Sequence, residues 1–250
     1  MINRLAKSTP FMRFLAGVVS FFLSWGLWSV IFSSPLIAGV IMISVFIHEL
    51  CHHLAFRLYG VKSAIIFMFL GASTYPLNIQ KLEEKLLSET MWVLPAGIIA
   101  NICLGWAALY FGGANPIWVF VAMINFFLAF FNLAPHSTMD GGKIVVAVTY
   151  LFREKRSEAA NWLIIIAESV AVLGFTNFVG VFADDIFVQF LVIFLFGSDL
   201  ILRLIGTYRK HNEPMPQGLS TGQAVYWAML YTTLLFLSLG GLILIPTPIF

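Results

Sequence analysis

Apolar runs long enough to cross a bilayer, separated by a handful of charges, constrain this chain more than any other feature. A helix crossing the hydrocarbon core needs about 20 mostly apolar residues. About seven such runs occur, at 11–32, 35–59, 91–111, 116–134, 160–182, 186–205 and 223–245. Of the 250 residues, 60% are hydrophobic and 10% charged, with 25 phenylalanines; a soluble domain averages about a quarter charged and could not hide so much apolar surface. The expected fold is therefore all-α, a polytopic transmembrane helical bundle whose main surroundings are the lipid bilayer. The net charge of +2 gives no reason to expect a nucleic-acid partner. Cys51 and Cys103 both lie inside apolar runs, so no disulfide framework is expected.

Charge placement predicts how the chain is threaded. All 14 basic residues fall at the N-terminus (Arg4, Lys7, Arg13), within 57–85, within 143–156, or at Arg203, Arg209 and Lys210. None falls in the short connections at Ser33-Ser34, Gly112-Gly113 and Asp184-Asp185. By the positive-inside rule the N-terminus and the long loops are cytoplasmic, and an odd number of spans puts Phe250 on the opposite face. The first run follows three positive charges, yet it is too long for a signal peptide and no small-residue cleavage site follows it. Residues 1–34 are read as a retained N-terminal anchor helix. Residues 61–75 (VKSAIIFMFLGASTY) are apolar but too short to cross, partly β-branched and broken by Gly71, which predicts a re-entrant or interfacial β segment. Backbone at that depth must be paired, which a short hairpin dipping in from the cytoplasmic face would satisfy. The charged stretch at 80–89 reads as a surface helix or loop.

Within the second run the chain reads His48-Glu49-Leu50-Cys51-His52. Histidines at i and i+4 lie on one helix face, within reach of one metal ion. Imidazole suits Zn²⁺, and the adjacent carboxylate can act as a general base. Three ionisable side chains in a membrane segment are costly and by default functional. His53 is rotated off that face and reads as a supporting or interfacial histidine; Cys51 reads as an apolar filler. A catalytic zinc site usually has three protein ligands, so a third must come from elsewhere. Apart from the short-loop pair Asp184 and Asp185, the remaining acids within the runs or at their ends are Asp140, Glu168 and Asp199, and an i, i+4 pair with Arg203 accounts for Asp199. Asp140 follows Asn132 and Pro135 in NLAPHSTMDGG, where proline and glycines predict an unwound stretch.

These residues resemble the site-2 protease family of intramembrane zinc metalloproteases, which pairs HExxH with a motif of the type N-x-x-P-x-x-P-x-D-G two spans later. Here His48-Glu49-x-x-His52 is joined by Asn132-x-x-Pro135 and Asp140-Gly141, although His136-Ser137-Thr138-Met139 lacks the usual second proline. Gly97 and Asn101 are similar to the family's G-x-x-x-N stretch, and Gly60-Val61 with Phe69-Leu70-Gly71 looks like its membrane-dipping β segment. The resemblance covers about residues 35–152. It implies one zinc ion held by His48, His52 and Asp140, with Glu49 as the catalytic base and acid. It further implies that Asn132 and Asn101 position the substrate or the oxyanion; interhelical packing is the other reading of both. Gly141 and His136 are candidates for shaping or bonding the Asp140 ligand. The chain then divides into the anchor helix at 1–34, a protease core at 35–152 and additional transmembrane helices at 153–250.

The implied activity is hydrolysis of peptide bonds in or near transmembrane segments of other proteins, in a cell membrane of bacterial type. The implied partners are transmembrane protein substrates, with a separate regulatory membrane protein left open. One rival is a prenyl-protein-type membrane metalloprotease with Glu168 as third ligand; another is a non-proteolytic metal-binding membrane protein.

Overall fold

In the computed structural model the described residues are 9–68, 71–78, 91–113, 115–134, 139–149 and 221–245. Six helices and a two-stranded sheet occur among them: α1 (Pro10–Ile31), α2 (Pro35–Leu58), β1 (Ser63–Met68), β2 (Gly71–Pro76), α3 (Val93–Gly112), α4 (Pro116–Asn132), α5 (Asp140–Thr149) and α6 (Thr221–Ile243). Four stretches, Pro10–Ile31, Pro35–Leu58, Val93–Gly112 and Gly222–Ile243, are long and apolar enough to cross a membrane. The run expected at 116–134 forms a shorter apolar helix of 17 residues that stops at Asn132. The runs at 160–182 and 186–205 and the stretch at 80–89 lie outside the described residues. The chain forms two compact units, one of Met1–Phe130 with Thr232–Phe250 and one of Phe131–Tyr231.

In the first unit, α1 and α2 each begin on a hydroxyl cap followed by proline. Thr9 accepts from the Met12 amide and Ser34 from the Ile37 amide, each at 3.3 Å. Both devices satisfy N-terminal amides that the helix itself leaves open. At its other end α2 closes in a Schellman motif. Gly60 takes φ +71°, its amide donates to Arg57 O and the Val61 amide to Phe56 O, each at 2.9 Å. Glycine is favoured there because a Cβ disfavours that backbone. The chain thus leaves α2 two turns after His52 and enters β1.

β1 and β2 form an antiparallel hairpin in which Ile65 faces Thr74 and Met68 faces Gly71. The expected hairpin is present, and Gly71 opens its second strand. The parity of the ladder is fixed by two bonds, one from the Phe67 amide and one from the Leu77 amide. The Phe67 amide donates to Ser20 Oγ of α1 at 3.2 Å, so it points away from β2. Ser24 Oγ donates to Met68 O at 3.1 Å, and Leu77 N donates to Lys62 O across the hairpin at 2.7 Å. Phe67–Ala72 and, by alternation, Ile65–Thr74 are non-hydrogen-bonded pairs. The N–H and C=O of Ala72 and Thr74 consequently point to the outer edge of β2, where no further strand pairs among the described residues.

α3 packs on α2, and its Gly105 admits the ring of Phe126 from α4. Gly241 of α6 meets the same ring; Phe126 is fully buried with Ala108, Val119, Ala122 and Ile245 around it. A Cβ on Gly105 would stand 2.8 Å from the Phe126 ring, and one on Gly241 would overlap it as well. Gly105→Ala should therefore destabilise the protein by about 1–3 kcal/mol, the usual cost of overpacking, despite alanine's better helix propensity. Thermal unfolding in detergent checks this: the loss of melting temperature should shrink in a Phe126→Leu background.

Candidate metal centre

Three helices and the hairpin position the first unit's polar side chains. On α2 the i, i+4 spacing brings the two imidazoles together, with His48 Nε2 and His52 Nε2 3.0 Å apart and ring planes at 72°. Each ring is anchored by its other nitrogen. His48 Nδ1 lies 2.5 Å from Asn101 Oδ1 on α3, and His52 Nδ1 lies 2.6 Å from the Val93 carbonyl oxygen at the start of that helix. Carbonyl oxygens only accept, so both Nδ1 atoms must donate, which leaves the Nε2 lone pairs for a metal.

The Asn101 amide cannot be turned round. Its Nδ2 donates to Asn125 Oδ1 at 2.7 Å and approaches Ser44 O at 3.5 Å. Asn125 Nδ2 in turn donates to Val121 O at 2.8 Å and to Ser44 Oγ at 3.0 Å. Direction therefore propagates from a backbone carbonyl on α4, through two carboxamides, to one ring nitrogen of His48. Ser44, His48, Asn101 and Asn125 are all buried, where an unmade hydrogen bond costs about 1–3 kcal/mol.

Glu49, buried as well, is met from the hairpin: Thr74 Oγ1 lies 2.7 Å from its Oε2 and 2.9 Å from its backbone oxygen. His53, as expected, is turned elsewhere, and its Nδ1 lies 2.8 Å from Ser63 Oγ on β1. Cys51 is a half-buried free thiol. Gly97 supplies room rather than a contact. A Cβ there would stand 2.5 Å from His52 Nε2 and 2.6 Å from His48 Nε2, filling the space that the two lone pairs face.

In the second unit Asp140 opens α5, where a carboxylate suits the positive end of a helix. It is paired with Lys143 Nζ at 3.1 Å. Gly141 packs directly against the Leu133 backbone, so that a Cβ would overlap Leu133 O, C and Cα. The same carbonyl oxygen accepts from Tyr231 Oη at 2.5 Å. Asn132 is the last, half-buried residue of α4. The expected break in the helix is present at Leu133 and Ala134, whereas Pro135, His136 and Glu168 lie outside the described residues.

His48 and His52 in the first unit and Asp140 in the second are all buried, and each offers an atom able to ligate a metal ion. The donor set fits zinc: two imidazole nitrogens of fixed tautomer, a carboxylate, and a glycine in place of any side chain beside them. Sequence reasoning had not singled out Ser44, Thr74, Asn125 or Tyr231. Asn125 carried a signal, being a carboxamide inside an otherwise apolar helix.

Residues 107–175 match the family model described as Peptidase family M50, the site-2 protease family. The matched stretch contains Asn132, Asp140 and Gly141 and excludes the HExxH segment, so it is independent of that motif. No curated protein and no solved structure matches the chain.

Asn101→Ala should weaken metal binding by the histidine pair by about 10–100-fold, the usual effect of removing a group that orients a ligand imidazole. Gly97→Ala should do the same by intrusion. Competition with a chromophoric chelator measures both, and wild-type affinity in either variant would contradict the assignment.

Proposed function

Taking the chain as a membrane metallopeptidase of the M50, site-2 protease kind, we propose that it is a zinc endopeptidase cutting peptide bonds in or near transmembrane segments of other proteins. The observation that supports this most is the imidazole pair, with both Nδ1 atoms committed and both Nε2 atoms turned to a space kept open by Gly97, next to a carboxylate held from the hairpin. His48, His52 and Asp140 hold the zinc. Bound there, zinc supplies Lewis acidity toward water and toward the scissile carbonyl. Glu49 takes the proton from the attacking water and returns it to the departing amide nitrogen, so the carboxylate is regenerated each cycle. Asn101 orients His48; Asn132, at the helix break, positions the substrate or the oxyanion.

A helical substrate has its carbonyls bonded within its own backbone, so it must unwind to be cut. The outer edge of β2, with Ala72 and Thr74 directing N–H and C=O outward, can take up the bonds that unwinding releases. The charge distribution puts the N-terminus in the cytoplasm and the site toward that face. Arg57 follows His52 by about 7.5 Å along the helix at 1.5 Å per residue.

Glu49→Gln should keep zinc and abolish cleavage. Comparing membrane proteomes of cells carrying the wild type or this variant should show single-span proteins accumulating uncut; identical fragment patterns would refute the assignment. Asp140→Ala should release zinc and Glu168→Ala should retain it, as metal analysis of the purified proteins can decide. The reverse result favours the rival with Glu168 as ligand.

A further inference from the structure

The hairpin and the carboxylate beside the histidine pair meet at one hydroxyl. Thr74 Oγ1 is within hydrogen-bond distance of both Glu49 Oε2, at 2.7 Å, and Glu49 O, at 2.9 Å. It has a single proton, and the ionised carboxylate is the stronger and here the closer acceptor. Glu49 is buried at 7% exposure, out of reach of bulk water that could orient it instead. A glutamate side chain has several rotamers, and proton transfer needs the one within reach of the reacting water. Thr74 is also a residue whose N–H and C=O face the open edge of β2. An added strand would therefore bond the backbone of the very residue whose side chain holds Glu49.

We propose that Thr74 is a positioning residue: its hydroxyl fixes the Glu49 carboxylate in the proton-transferring rotamer, and strand addition at β2 reaches the base through it. The hydroxyl keeps its own proton throughout. This rests on the assignment of Glu49 as the base.

Thr74→Val, nearly the same shape without the hydroxyl, and Thr74→Ser, which restores it, provide the test. The substrate is a single-span protein that accumulates uncut with Glu49→Gln. Loss of a hydrogen bond to a charged group should lower kcat by about tenfold or more, with KM and bound zinc near wild type, and serine should recover most of the loss. On the metal-free protein, the infrared carboxylate band that disappears in Glu49→Gln should shift in Thr74→Val and return in Thr74→Ser. Wild-type kcat in Thr74→Val beside an inactive Glu49→Gln overturns this inference alone. So does a serine variant as slow as valine, or a defect confined to KM or to zinc content. An active Glu49→Gln enzyme overturns the assignment of the base and this inference with it.

Discussion

An imidazole can offer a metal only one nitrogen at a time, and the partner of its other nitrogen decides which. Both rings here are decided from α3. The Val93 carbonyl oxygen claims one Nδ1–H and the Asn101 carboxamide oxygen claims the other. In water such preferences are weak, because solvent offers an equivalent partner to any tautomer or ring flip. Buried among apolar helices, the alternatives leave a donor or an acceptor unmade, and the penalty rises as the local dielectric falls. The chain from Val121 O through Asn125 and Asn101 to His48 therefore acts as one directed unit spanning α2, α3 and α4. Close approach of the helices is its precondition, which is the contribution of Gly97 against the imidazoles and Gly105 against Phe126.

What could be read along the chain was what repeats at short range. The histidine pair is a helical period, the spans are run lengths, and the break before Asp140 is proline and glycine chemistry. The short β-branched segment was legible as something unable to cross and as a hairpin, but its register depends on a turn that composition does not encode. Thr74, Ser44 and Asn125 escaped notice for a common reason. Thr74 finds Glu49 across 25 positions, Asn125 finds Asn101 across 24 and Ser44 across 81, so no local pattern marks them. Asn101 was noticed as a match to a motif, yet its motif does not say that its oxygen faces a ligand ring. The helix at 116–132 fell short of the expected run because Leu133 turns and gives its carbonyl oxygen to Tyr231, a partner almost 100 positions away.

The register of the hairpin connects α1, which carries no ligand, to the chemistry. Strand side chains alternate between faces, so a slip by one residue would turn Thr74 away from α2 and present Ser73 or Tyr75 instead. Two features oppose such a slip. The α1 hydroxyls of Ser20 and Ser24 bond β1 at Phe67 N and Met68 O, and Pro76, which has no N–H, sits at a pair that asks for none. With α1 occupying the outer side of β1, the exposed ladder groups are left to β2. The residue at the centre of that edge, Thr74, is the one whose side chain reaches Glu49. A weakened Ser20 or Ser24 contact would thus loosen the register that delivers one hydroxyl to one carboxylate, without touching either histidine of the pair.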